Sequence, residues 1–256
     1  MSYDLQRADI WKRGSAFLLD FILTVIVASG FIFLLALVTN VNKQFEIYES
    51  RMEHFESEYG IDLEKIQNRE EYEALPEDQR ALVDAAWKAF STDEEALRSY
   101  NLAIQLSIIN VSIGILFAFL ITEFAVPMFL KNGQTVGKKV FGVAIMRTDG
   151  VKVNGQIMFI RSILGKYTIE TMVPLMMLVW LVTGQAGIMA PVIILLIIVS
   201  NLVMMMITRT NSGIHDMLAN TVTVDMSSQL IFDSPEALLE YKQKIHAEAV
   251  ERAEYR

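Results

Sequence analysis

The chain has no cysteine, only three histidines and five prolines in 256 residues. Without cysteine there is no thiol nucleophile, disulfide or Cys-ligated metal centre, and cysteine usage says nothing about the redox compartment. His54, His215 and His246 are scattered, and no His-Glu-x-x-His or paired-His spacing occurs, so a metal hydrolase is not supported. No Ser-centred nucleophile elbow is present. With no catalytic constellation the chain is not read as an enzyme, and no cofactor is implied.

What is abundant is apolar sequence. Hydrophobic residues make up 53% of the chain, charged ones 20%, and the mean hydropathy is +0.36. The excess lies in discrete runs, which marks an integral membrane protein. From Gly14 to Val38 an almost unbroken apolar run extends over 25 residues, enough to cross a bilayer core of ~30 Å at ~1.5 Å per residue. The run is too long for the core of a cleavable signal peptide, and no Ala-x-Ala site follows it. Asp20 lies inside it. Arg13, Ala16, Phe17 and Asp20 share one helix face by their spacing. A carboxylate among lipid tails costs ~3 kcal/mol on insertion scales, so it faces a partner or a wet cavity.

Residues 39–100 break the apolar pattern with seven basic residues against sixteen acidic ones. This is an acidic soluble insert of helical character: Phe45, Tyr48, Met52 and Phe55 recur at helical spacing, as do Leu82, Ala86 and Phe90. Thr92-Asp-Glu-Glu95 has the pattern of a capping box opening the next helix. Leu102–Leu130 forms a second span, with Glu123 near its far end.

Residues 131–166 then carry seven basic residues and one acid. Excess Lys and Arg between spans places this loop in the cytoplasm. Alternation around Asp149-Gly150 signals a hairpin. Asn154 caps an amphipathic helix with Ile157, Ile160, Ile163 and Leu164 on its apolar side, suited to lie along the inner leaflet. Gly133-Gln-Thr-Val-Gly-Lys138-Lys139 has one residue too few for a phosphate-binding loop, and Lys139 stands where Ser or Thr should be, so nucleotide binding is rejected. Lys138 and Lys139 are read instead as contacts to anionic headgroups. The loop's aromatics form no stacking platform, and nucleic-acid binding is not expected.

A third span, Thr168–Thr183, carries Glu170 near its start and Pro174 within it. A tight Gly184-Gln-Ala-Gly187 turn leads to a fourth, about Ile188–Ile207. The methionines of these spans are packing residues rather than a copper site. Thr221–Asp225 alternates and can pair with the hairpin in a small sheet. Ser234 and Pro235 open a last helix reaching about Tyr255. The expected fold is therefore an all-α integral membrane protein with four transmembrane helices, an acidic helical extracytoplasmic insert and a small cytoplasmic β-hairpin element. Its segments are 1–38, 39–100, 101–226 and 227–256, with both ends inside.

These motifs together resemble the RDD family of bacterial multi-span membrane proteins, named for one arginine and two aspartates. Arg13 and Asp20 match the first two, and Asp216 in Gly213-Ile-His-Asp-Met-Leu-Ala219 matches the third. Gly133-Gln-Thr-Val-Gly-Lys-Lys-Val-Phe-Gly142 is similar to the family's central segment. The likeness covers residues 7–38 and 101–226; the long insert and the last helix depart from it. The resemblance implies the bacterial inner membrane and, from some members, transport that includes sodium–proton exchange.

Arg13 and Asp20 are ~10 Å apart along a helix axis, so Asp216 is expected to complete an Arg13–Asp20–Asp216 cluster at the inner membrane surface, as transport machinery or as a structural clamp. Glu123, Glu170, Arg161 and His215 are secondary polar candidates. The expected partners are the lipid bilayer, monovalent cations or protons, and further copies of the chain, because four spans enclose little volume. The competing reading is a non-transporting scaffold or sensor that binds partners through the insert and the last helix.

Overall fold

A computed structural model describes residues 4–63, 65–66 and 69–254. Among these, four helices are long and apolar enough to cross a membrane: α1 (Ile10–Thr39), α5 (Glu94–Phe129), α7 (Gly155–Val182) and α8 (Met189–Ile207). They bury their apolar side chains only sparsely within the chain; Phe17, Phe33, Leu195 and Leu196 stand on their outer surfaces. Such surfaces suit lipid contact, because hydrocarbon tails solvate them as well as a core would.

The chain divides into two compact units. One comprises residues 30–114. It holds the ends of α1 and α5 together with α2 (Val41–Tyr59), α3 (Arg69–Glu73) and α4 (Glu77–Thr92). Its core is aromatic: Phe55, Phe90 and Ala96 are buried, with Tyr48 and Met52 packed against them, and the Phe55 and Phe90 rings meet edge to face. The Phe45–Phe55 stripe therefore works largely as expected. On α4 the buried set is Val83, Ala86 and Phe90, whereas Leu82 is exposed, because a step of three then four turns Val83 inward. The cap of α5 also moves by one residue. Asp93, not Thr92, accepts the Ala96 N–H at 2.7 Å, and Thr92 instead donates back to the Lys88 carbonyl of α4. A carboxylate serves better here because it also takes a two-pronged contact from Arg51, with Nη2 at 2.6 Å and Nε at 3.1 Å.

The other unit comprises residues 1–29 and 115–256. It contains α6 (Val136–Val140), β1 (Val143–Arg147), α9 (Ile214–Leu218), β2 (Thr221–Asp225) and α10 (Pro235–Glu254). β1 and β2 pair antiparallel, with Val143 opposite Asp225 and Arg147 opposite Thr221. Ala144, Met146, Val222 and Val224 form a small buried core. The chain does turn at Asp149-Gly150, but the return arm is only a bridge from Lys152 to Met146. The N-terminal segment lies along β2 through Ala8 N to Thr223 O and Asp225 N to Gln6 O. Ser234 caps α10 through the Ala237 N–H; Tyr255 lies outside the described residues.

Residues 131–166 are not an open loop, and the amphipathic helix and third span are not separate. Asn154 caps as expected, accepting from Ile157 N at 2.9 Å, but the helix it opens continues to Val182. Pro174 does not interrupt it, because it falls where the winding returns from π to α. Two stretches are π-wound: Leu120–Ala125 in α5 and Ile160–Met172 in α7. The hydroxyls of Thr168 and Thr171 reach carbonyls five residues back, at 2.9 Å each. Gly184 and Gly187, both with positive φ, make the tight turn between α7 and α8.

Phe90→Ala should destabilise the residue 30–114 unit by about 3–5 kcal/mol, whereas Leu82→Ala should cost under ~0.5 kcal/mol. Thermal unfolding of the two variants in detergent checks this; equal losses would contradict the assignment of the core.

Candidate functional site

The polar residues of the second unit gather into three buried groups. Asp20 is the first. It is 4% exposed, and its partners all come from the segment that opens α6. Its Oδ1 accepts the Gly137 N–H at 2.7 Å. Its Oδ2 accepts the Thr135 hydroxyl and lies 3.4 Å from Lys138 Nζ. Thr135 also caps α6 through the Lys138 N–H. A carboxylate supplied with two hydrogen bonds and a cation no longer carries the full cost of an unpaired buried charge. Gly137 makes this approach possible: a Cβ there would run into the Ala16 carbonyl and the Asp20 carboxylate.

Lys138 is thus not a headgroup contact. It is buried against Asp20, and burial among other cations pushes its pKa down to about 8. Lys139, next on the helix, is exposed and remains free to meet lipid.

Glu123 is the second group. It sits in the π-wound stretch of α5, 5% exposed, and takes Lys166 of the α7 π-wound stretch at 2.7 Å. Both partners of this pair stand on π turns, where the helix face is rotated relative to regular winding.

The third group runs through α9. Arg161 and Asp216 are both almost fully buried and pair at 2.9 Å. Arg161 Nε adds a contact to the same oxygen at 3.0 Å, and Thr221 donates to it at 2.8 Å. Asp216 is held well below the usual carboxylate range, Arg161 and His215 outweighing the opposing effect of burial. The second oxygen of Asp216 accepts no hydrogen bond among the described residues and faces His215 Nε2 at 3.5 Å. The other ring nitrogen, Nδ1, meets Glu170 at 2.9 Å. Burial lowers the His215 pKa against the pull of its two carboxylate neighbours, so near neutral pH the ring is uncharged. Gly165 lets α9 sit this close to α7, since a Cβ there would meet His215. Asn201 of α8 ties in by accepting the Ile214 N–H at 3.0 Å.

The expected Arg13–Asp20–Asp216 cluster is therefore not formed. Asp20 is satisfied by α6, and Asp216 by Arg161. Arg13 lies two turns from Asp20 and is half-buried in a cleft against α8. It makes no ion pair among the described residues, although Asp216 and Arg161 act on it through space. Arg161, Glu170, Glu123 and His215, ranked second by sequence, belong to the central groups. Thr135, Lys166, Thr221 and Asn201 were missed. Lys166 carried one readable signal: a lone cation at the start of a span, matched by Glu123 at the end of another. Among the described residues no three His, Asp or Glu side chains gather as a metal site.

Arg161→Ala should destabilise the protein by about 3–5 kcal/mol, because Asp216 would stay buried without its cation. Arg252→Ala removes the exposed partner of Glu248 and should change stability by less than ~0.5 kcal/mol. Denaturation midpoints in one detergent compare them.

The family model described as the RDD family matches residues 7–220. Neither a curated protein nor a solved structure matches the chain.

Proposed function

The chain belongs to the RDD family, and on that premise we propose that this multi-pass membrane protein moves protons or small monovalent cations through the buried ionisable groups at the ends of its spans. The observation that carries the reading is His215, whose two ring nitrogens face two different carboxylates, Glu170 in α7 and Asp216 in α9. An uncharged imidazole between two carboxylates can take a proton at one nitrogen and release it at the other. Glu170, half-buried inside a span, is the group that would meet the transported ion. Asp216, held ionised by Arg161, would stabilise the imidazolium while it lasts. Asp20, with its donors fixed, anchors α1 and is not the carrier. The working form is taken to be an oligomer, because four spans alone leave little room for a pathway.

The basic residues of 131–166 support an orientation with the β-sheet, the N-terminal segment and α10 in the cytoplasm and the acidic insert outside. A second reading, partner binding by a scaffold or sensor, is favoured by one observation: residues 30–114 have their own aromatic core and expose Trp87 and Leu97.

Purified protein in liposomes should move sodium or potassium against a pH gradient, with Glu170→Gln and His215→Gln each slowing flux about tenfold or more. An inactive folded wild type would remove the transport reading and leave the scaffold. Because the chain lacks cysteine, single cysteines report topology directly. Lys88→Cys should react with an impermeant maleimide on intact cells, and Lys244→Cys only after permeabilisation; the reverse pattern would invert the orientation.

A further inference from the structure

Where α1 begins and α8 ends, a cleft of about 160 Å³ opens between them. Ile10, Leu202, Met205 and Met206 form its apolar wall, and Arg13 and Asn211 its polar end. The walls continue outward, with Met206 84% exposed and Ile10 66% exposed, so the cleft opens onto the surface where acyl chains would lie.

The cation at its polar end has no direct counter-ion among the described residues, Asp216 acting on it only through space. Carboxylates in the neighbourhood are committed elsewhere: Asp216 to Arg161 at 2.9 Å, Asp225 to Lys12 at 2.6 Å, and Asp9 to the Trp11 N–H at 2.8 Å. Arg13 has no ion pair among the described residues. Arg7 is held at the same rim by two neutral acceptors, the Arg209 carbonyl at 3.1 Å and the Asn211 side chain at 3.0 Å. Arg209 itself is exposed. Two guanidiniums, Arg13 in the lining and Arg7 bound to its Asn211, therefore border a cleft whose lining contains no acid. A half-buried cation at the end of two spans gains most from an anion that the membrane surface itself supplies.

We propose that this cleft binds one anionic phospholipid, with its phosphate against Arg13 and Arg7 and its acyl chain along Leu202, Met205 and Met206. The two chemistries of the site, guanidinium at one end and methionine-rich wall at the other, match the two parts of that molecule. Bound there, the lipid would tie the first span to the last. The inference stands apart from the transport reading, since it uses neither Glu170 nor His215.

Native mass spectrometry of the full chain, with phosphatidylglycerol and phosphatidylcholine added in turn, tests it. One phosphatidylglycerol should be retained in preference to phosphatidylcholine. Arg13→Gln should weaken that retention roughly fivefold, the effect of one cation at a membrane surface. Should Arg13→Gln fail to fold, Met206→Glu carries the test from an exposed position: it should weaken phosphatidylglycerol alone, with Met206→Gln near wild type. Equal retention of the two lipids overturns the proposal. So does displacement by millimolar inorganic phosphate, which would mark a free-anion site. Loss of a dimer by Met206→Glu with lipid retention unchanged would assign the cleft to a second copy of the chain and also overturn it.

Discussion

A carboxylate placed inside a lipid-spanning helix has to be satisfied by the protein, and most of the second unit follows from how Asp20 is satisfied. Hydrocarbon offers it no hydrogen bonds. The donors come from the short segment Thr135–Lys138, which must therefore press against α1. Only glycine at position 137 allows that approach. Once α6 is fixed there, β1 follows after a turn of two residues, and β2 and the N-terminal segment are paired to it in register. The same accounting holds for Glu123 with Lys166 and for Asp216 with Arg161. Each buried charge joins two segments far apart in sequence, so these pairs act as a set of cross-ties among α1, α5, α6, α7 and α9.

The two π-wound stretches belong to this logic. A π turn costs regular hydrogen bonding and persists where the rotated face gains something. Here the gain is the placement of Glu123 and Lys166 against each other, and of Arg161 and Glu170 on one side of α7 facing α9. The threonine hydroxyls at 168 and 171 take up carbonyls of the altered winding. Regular α-winding from residue 160 onward would turn Glu170 by about 100° for each residue gained, and His215 would lose its partner.

The spans were legible in the sequence because hydropathy over about twenty residues is a local property. So were the Asn154 and Ser234 caps, the glycine turn after α7, and the pairing of Thr221–Asp225. Positions within one helix were less so: Leu82 and Val83 are equally apolar, and only the packing of α4 against α2 chooses between them. The site was half legible. That Asp20 and Asp216 are buried and paired followed from their chemistry. Their partners did not, because a cation's sequence neighbourhood does not reveal its tertiary one. Lys138 looked like one of seven surface charges and proves to be buried against Asp20. Arg13 and Asp20 were put on one face by helix periodicity with Asp216 expected to bridge them, but Asp216 is taken by Arg161 and Asp20 by α6.

The ties differ in what they can release. Asp20 and Asp216 are held by several donors each, and separating either from its cation inside the chain would strand a charge at a cost of several kcal/mol. Such groups fix helices and cannot cycle rapidly. His215 is different, because it can gain or lose a proton without leaving its place. Protonated, it would bind Glu170 and Asp216 more strongly; neutral, it leaves Glu170 half-buried with one imidazole, one backbone N–H and the Asn201 side chain. One of the contacts between α7 and α9, that of His215 with Glu170, therefore varies with protonation, while the Arg161–Asp216 tie between the same helices does not. On the proposed transport reading, a fixed frame around one titratable joint is the minimum a proton-coupled device requires, and its movable element would be Glu170 and His215 rather than Arg13.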